Sequence, residues 1–240
     1  MRAVWRLARL TPHVLHGLWI VRRRFERLTS AEKHSLIQWW SVKTLRILGI
    51  TLESTGQGVA EGHLVVANHV SWLDIAAVHA VLPQARFVSK ADVKHWPVVG
   101  TLVQGAGTLF IERTSRRDAL RVVHEAAAAL QAGDCVAVFP EGTTGAGPEL
   151  LHFHANLLQA AIATDAAVLP VALRWYEPGE RFSTSARFVG DMTLAGSLWS
   201  IASARGLGID IQILPPAPAG GQDRRALAES LRAQITRHLD

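Results

Sequence analysis

The sequence predicts an α/β protein: a mixed, mostly parallel sheet flanked by helices, preceded by an N-terminal amphipathic two-helix hairpin. Three observations predict it. From residue 50 onward, short apolar runs alternate with helical patterns, as strands and helices do in turn. Residues 1–49 show helical spacing instead. The composition is that of a folded chain, with 240 residues, 49% of them hydrophobic and 19% charged, the reverse of the balance that leaves a chain disordered. A single α/β domain often reaches ~200–250 residues. The expected division is therefore a helical hairpin over 1–49 and one α/β domain over 50–240. A chain of this size buries roughly 70–75% of its unfolded surface and needs no disulfide or metal staple. Its single cysteine, Cys135, excludes an intrachain disulfide and a Cys-based zinc site and suits a reducing compartment.

In the first helix Val14, Leu18, Val21, Phe25 and Leu28 step by four and three and share one face, while His16, Arg23 and Arg27 fall away from it. The apolar stretch Leu10 to Val21 is broken by Pro12, His13 and His16 and closed by Arg22, Arg23 and Arg24. It is too short and too interrupted for a spanning helix, and no small-residue cleavage site follows it to mark a signal peptide. Thr29-Ser-Ala-Glu32 reads as a capping box opening a second helix, with Leu36, Ile37, Trp39, Trp40, Leu45 and Leu48 along it and Gly49 as its stop. Residues 1–50 hold ten Lys/Arg and two Asp/Glu, a net +8. Residues 51–240 hold fifteen and eighteen, a net −3. The overall +5 is thus an N-terminal property. Basic, Trp-bearing amphipathic helices suit the plane of a membrane interface, where each Lys/Arg is worth about 1 kcal/mol. The plain alternative is a hairpin packed on its own domain. No nucleic-acid-binding signature accompanies the charge, so no nucleic-acid partner is expected.

The α/β region follows in order. Leu64 to Ala67 reads as a strand, Trp72 to Leu82 as a helix stopped by Pro83, and Arg86 to Ser89 as a strand. Trp96 to Ala106 reads as a short helix and Thr108 to Ile111 as a strand. Arg116 to Ala132 is alanine-rich, preceded by Thr114 and Ser115 and followed by Gly133, hence a helix. Cys135 to Phe139 reads as a buried strand, Ala155 to Ala163 as a helix and Val168 to Leu173 as a strand. Phe188 to Gly190 and Ile209 to Leu214 read as late strands. Pro215 to Gly221 is a loop, and Arg224 to Leu239 is the closing helix.

Three clusters carry chemistry-bearing residues, each where a strand ends. In Asn68-His69-Val70-Ser71-Trp72-Leu73-Asp74, a carboxylate on one ring nitrogen of His69 would fix its tautomer and leave the other nitrogen as a base. No serine elbow or reactive cysteine accompanies the pair, so the hydroxyl that the base activates would belong to the substrate. In Gly107 to Arg113 a strand delivers Arg113, whose planar fork suits phosphate. In Phe139-Pro140-Glu141-Gly142-Thr143-Thr144 a carboxylate sits on a turn where Gly142 admits close approach of backbone to a ligand. Glu141 would bind substrate hydroxyls or orient Arg113. Each cluster also has a structural reading: an incidental His–Asp pair, a surface arginine, a strand-end turn with a solvated glutamate. His152 and His154 lack the helical spacing of metal ligands, and no metal site is expected.

Together these blocks resemble the glycerolipid acyltransferases of the 1-acyl-glycerol-3-phosphate (lysophosphatidic acid) acyltransferase type. His-x4-Asp appears as His69 to Asp74, Gly-x-x-Phe-Ile-x-Arg as Gly107 to Arg113, Phe-Pro-Glu-Gly-Thr as Phe139 to Thr143, and a Pro-containing strand at Val168 to Val171. They occur in order over about residues 65 to 175. Lys90 matches a lysine common between the first two blocks. The chain departs from the family pattern at Phe153-His154-Ala155-Asn156, where Phe-Lys-x-Gly is frequent, and in the loop Thr144 to Glu149.

The resemblance implies transfer of a fatty acyl group from acyl-CoA or acyl-carrier protein to the 2-hydroxyl of a lysophospholipid, as a step in phospholipid synthesis. It implies His69 as base, Asp74 as its orienting carboxylate, and Asn68, Ser71, Lys90, Arg113, Glu141, Gly142 and Thr143 around the substrate. No resident cofactor is implied. The helices before the first block resemble the family's membrane-associating hairpin, which implies a place on the cytoplasmic face of the inner membrane. Two alternatives stay open: an acyltransferase for another lyso-acceptor such as lyso-ornithine lipid, and a non-catalytic peripheral lipid-binding protein. An α/β hydrolase would need a Gly-x-Ser-x-Gly elbow, which the chain lacks.

Overall fold

The computed structural model describes residues 1–58, 62–111 and 116–239. It forms the expected N-terminal pair, α1 (Arg2–Arg23) and α2 (Ser30–Leu48). α2 opens on the capping box: the Glu32 N–H donates to the Thr29 hydroxyl, and the Thr29 N–H donates to the Glu32 carboxylate at 2.8 Å. It closes at Gly49 in the left-handed conformation. The face that the periodicity marks turns inward along α1 and the short link that follows it. Leu18 and Phe25 are buried, Val14, Val21 and Leu28 half-buried, and His16, Arg23 and Arg27 exposed. α1 runs through Pro12 without stopping. Leu10 and His13 are buried on either side of it, and Arg6 donates to the carbonyls of Ala202 and Ala204 at 3.0 and 2.9 Å. Packing therefore outweighs the missing backbone donor. Gly17 permits the close crossing of the pair, since a Cβ there would lie 2.5 Å from the Trp40 indole nitrogen.

The sheet has seven strands: β1 (Thr51–Thr55), β2 (Leu64–Ala67), β3 (Ala85–Lys90), β4 (Leu109–Ile111), β5 (Cys135–Val138), β6 (Val168–Tyr176) and β7 (Gly208–Ile213). Their spatial order is β1-β7-β6-β2-β5-β3-β4, parallel throughout except for the antiparallel β6–β7 pair. The helices α3 (Asp74–Val81), α4 (Val99–Gly105), α5 (Arg116–Gln131), α6 (Leu158–Thr164), α7 (Leu194–Ser203) and α8 (Arg224–Leu239) complete the chain. The central strands are buried on both faces, which explains their unbroken apolar runs. Alternation splits them between two cores. Val65, Ala67, Cys135 and Ala137 pack with α1, α2, α3 and α7; Leu64, Val66, Val136 and Val138 pack with α5, α6 and α8.

Several elements differ from the sequence reading. β1 and α7 were not anticipated. β1 is a mostly exposed edge strand, held by its parallel register with β7, and its polar residues show no apolar period. Phe188 to Gly190 is not a strand: the Phe188 N–H donates to the Val70 carbonyl at 3.0 Å and its own carbonyl accepts the Thr144 hydroxyl, so its backbone serves loops. α4 begins at Val99 and α6 at Leu158, each after a turn.

His79, on α3, is buried and its Nε2–H donates to the Ala85 carbonyl at 2.9 Å. Burial above all, opposed by that hydrogen bond and helped slightly by the charge of His34, pulls its pKa down to about 4. Protonation thus favours the unfolded chain. The stability held by neutral His79 is complete above its ordinary value of 6.5 and is lost as pH falls from there to about 4. The expected loss across this window is on the order of 3 kcal/mol. Urea denaturation midpoints of the native chain and His79→Phe at pH 7 and pH 4.5 check it, with the variant showing the smaller acid shift.

Candidate active site

β2 and β5 lie side by side in parallel, with Val66 opposite Val138, so the turns that follow them leave the same edge of the sheet. This is the edge at which open α/β sheets bind ligands. The Asn68–Asp74 and Phe139–Thr143 blocks are therefore brought together by strand order. β3 and β4 end at that edge too, with Lys90 opposite Ile111.

The His69 Nδ1–H donates to Asp74 Oδ2 at 2.9 Å. The same oxygen accepts the backbone N–H groups of Val70 at 2.7 Å and Ser71 at 2.9 Å, because Asp74 opens α3 and its side chain folds back over the turn. Asp74 Oδ1 accepts the indole N–H of Trp175 at 2.6 Å. Asp74 is fully buried, whereas the His69 side chain is 17% exposed. A carboxylate with four donors is immobile and sets the histidine tautomer, which leaves Nε2 as the free acceptor. The imidazole stacks on Phe139, with centroids 4.0 Å apart and planes 6° off parallel, and Phe139 stacks on Phe87. This aromatic wall fixes the plane in which Nε2 lies.

Glu141 is buried and ties the blocks to one another. Its Oε1 accepts the His69 N–H at 2.6 Å and its Oε2 the Leu151 N–H at 2.9 Å. Burial, its largest influence, holds this carboxyl above the usual range; the two N–H donors and the His69 charge pull it down, and Asp74 pushes it up. The residue expected to meet substrate hydroxyls or Arg113 thus has both oxygens engaged by the backbone around the histidine. Gly142 supplies the positive φ of 69° that turns the chain after Glu141, and its N–H donates to the Phe139 carbonyl at 3.0 Å.

Other predicted residues are spread more widely. Asn68 is fully buried, with its amide paired in both directions to the Leu173 backbone at 2.9 and 2.8 Å. Ser71 is fully buried, and its hydroxyl accepts the Leu73 N–H at 3.3 Å. Asn68 thus ties the turn to β6, and Ser71 braces it from within. Thr143 and Lys90 are exposed at the edge. Arg113, with Glu112, Thr114 and Ser115, lies outside the described residues. The start of its block is held by Arg86, which donates to the Gly107 carbonyl at 3.0 Å and pairs with Asp134. Cys135 is buried, and desolvation, then the Asp134 charge, pushes its thiol up to about 12, which disqualifies it as a nucleophile. No cluster of three or more metal-ligating side chains occurs among the described residues.

Sequence reasoning missed Trp175 and the stacking role of Phe139. The one trace of Trp175 in the sequence is its parity: it follows Val171 and Leu173 along the same strand face, one step beyond the expected end of the strand at Leu173.

The Acyltransferase family matches residues 50–174. A 1-acyl-sn-glycerol-3-phosphate acyltransferase of Neisseria gonorrhoeae is 44% identical over 185 residues, covering 75% of this chain and 71% of that protein. A lyso-ornithine lipid O-acyltransferase of Pseudomonas aeruginosa is 35% identical over 243 residues, covering 98% and 92%. The crystal structure of a 1-acyl-sn-glycerophosphate acyltransferase from Thermotoga maritima shares the fold, with a TM-score of 0.70 at 20% identity over 98% of this chain and 96% of that one.

Proposed function

The chain belongs to the Acyltransferase family as an O-acyltransferase, and from that premise we propose that it moves a fatty acyl group from a thioester donor, acyl-CoA or acyl-carrier protein, to the sn-2 hydroxyl of 1-acyl-glycerol-3-phosphate, giving phosphatidic acid. The observation that carries this reading is the His69–Asp74 hydrogen bond of 2.9 Å beside a partly open imidazole, with no protein nucleophile in the pair. His69 Nε2 takes the proton of the acceptor hydroxyl as its oxygen attacks the thioester carbonyl. The carbon–sulfur bond then breaks, and the leaving thiolate receives the proton from the imidazolium. Asp74 orients the ring and stabilises its charged form. Arg113 takes the acceptor phosphate, as the resemblance implies, and Lys90 and Thr143 are exposed at the edge that carries His69.

A second reading exchanges the acceptor for lyso-ornithine lipid. It is favoured by the relative of that name, which is similar over nearly the whole chain. The deciding assay offers labelled acyl-CoA to lysophosphatidic acid and lyso-ornithine lipid separately. Preference for the phosphate-bearing acceptor supports the first reading; preference for the other supports the second and removes the role given to Arg113.

We assign residues 1–49 to the membrane surface and 50–240 to catalysis. No helix among the described residues is long and apolar enough to cross a membrane. Trp5, Leu15, Trp19 and Trp39 are nonetheless exposed. Arg9 lies over the Trp5 ring at 4.4 Å and Lys43 over Trp39 at 4.7 Å. Cations beside outward-facing indoles suit an anionic lipid interface, here the cytoplasmic face of the inner membrane. Docking there spares the enzyme drawing acyl chains through water, at ~0.8 kcal/mol per CH₂. In flotation assays the protein should rise with anionic vesicles at low salt, less at high salt, and less still as Trp19→Ser/Trp39→Ser. Indifference to anionic lipid would overturn this assignment.

A further inference from the structure

Beside the catalytic edge lies a basin of about 240 Å³ between the segment 152–156 and the first turns of α8. Its lining includes His152, His154, Arg224, Arg225, Arg232 and Glu229. This concentration of cationic groups sits on a body, residues 51–240, whose net charge is −3. The nearby Asp223 carboxylate caps α8, accepting the N–H groups of Arg225 and Ala226 at 2.9 and 3.0 Å. It faces its own helix and meets Arg224 and Arg225 only through longer-range attraction. Neither arginine forms an ion pair among the described residues. The basin adjoins the site through its wall. Arg232 donates to the carbonyls of Leu150 and Leu151 at 2.5 and 2.9 Å, the Leu151 N–H donates to Glu141, and the His154 N–H donates to the Pro140 carbonyl at 2.8 Å.

We propose that this basin binds the phosphate groups of acyl-CoA, with Arg224, Arg225 and the two histidines as their ligands. The proposal rests on the acyltransferase reading above and assigns its donor side. The phosphates of acyl-CoA and its thioester stand at opposite ends of a flexible pantetheine arm. An anion site set beside the histidine, and not on it, is what such a donor requires. Paired guanidinium groups match phosphate oxygens. Glu229, the one carboxylate in the basin wall, is left to accept from ribose hydroxyls.

The test uses the full chain in lipid vesicles and the double variant Arg224→Glu/Arg225→Glu. Glutamate is favoured in a first helical turn, and circular dichroism checks that α8 is kept. The KM for palmitoyl-CoA should rise about tenfold, the loss of roughly one charge-assisted contact. The KM for the acceptor should not move, nor should turnover of S-palmitoyl-pantetheine, which carries no phosphate. Titration with 3′,5′-ADP should show binding to the native chain and about tenfold weaker binding to the variant. An unchanged palmitoyl-CoA KM overturns the proposal, as does an equal loss with S-palmitoyl-pantetheine. A loss seen only with acyl-carrier protein also overturns it and makes the basin a carrier-protein surface. If the native chain acylates no lysolipid, the reading of the reaction fails, and the 3′,5′-ADP titration still decides the basin by itself.

Discussion

Replacing His69 by alanine is expected to lower acyl transfer by about 10²–10⁴-fold, the usual worth of one positioned base, equivalent to roughly 3–5 kcal/mol of barrier. The geometry dictates where the loss falls. The imidazole is 17% exposed and packs flat on Phe139, so its removal opens a small space at the rim and leaves both cores intact. Its backbone N–H, which binds Glu141, survives the substitution. Binding of lysolipid and of vesicles should therefore be retained while kcat collapses, with KM for the acceptor little changed. Steady-state transfer of labelled acyl groups measures it, with lysolipid binding measured separately. A variant within tenfold of the native kcat would remove His69 from the chemistry. No acyl-enzyme is expected, since the proton acceptor has no protein nucleophile beside it. Acyl label that stays on the denatured chain would contradict direct transfer.

Asp74→Asn should cost about as much, by another route. Both carboxylate oxygens of Asp74 receive N–H donors: His69, Val70 and Ser71 on one, Trp175 on the other. An asparagine has a single carbonyl oxygen. Turned toward the histidine, it sets its NH₂ against the Trp175 indole N–H in a fully buried place, an unmet-donor cost of about 1–3 kcal/mol. Turned the other way, its NH₂ faces His69 Nδ1 and drives the proton to Nε2, the atom needed as acceptor. The expected fall in kcat is about 10³–10⁴-fold, with a lower denaturation midpoint as a second signature. Trp175→Phe removes this one donor together with part of the buried indole's volume. It should lower kcat far less than Asp74→Asn, with the His69–Asp74 pair still in place. If Asp74→Asn loses stability but not turnover, the aspartate is a structural residue only.

The chemistry-bearing residues were legible because their spacing is local. The five-residue step from His69 to Asp74 is one turn entering a helix, and chain order alone brings the carboxylate back to the ring. The same holds for the Thr29–Glu32 capping box and the Gly49 stop, each decided within a single turn. Asn68 and Ser71 show the limit of such reading. Their types and positions matched a binding role, yet both are fully buried, with the Asn68 amide bonded to the Leu173 backbone on β6 and the Ser71 hydroxyl to the Leu73 N–H within the turn. A motif marks residues that a site requires without separating those that touch substrate from those that hold the turn.

The sequence by itself determined most of the alternation of strands and helices, with β1 and α7 left out, the two N-terminal helices with their charge, and the blocks that meet at one edge of the sheet, because periodicity, caps and short-range turns are encoded by neighbours in the chain. Tertiary structure alone decided that Glu141 clamps the backbone of His69, that Trp175 completes the hold on Asp74, and that β1 joins the sheet through β7. Glu141 and Trp175 find their partners 72 and 101 residues away, and β1 meets β7 from the opposite end of the chain. Such contacts form only when parallel strands settle into register, and that register is set by the packing of two whole cores, which no local pattern expresses.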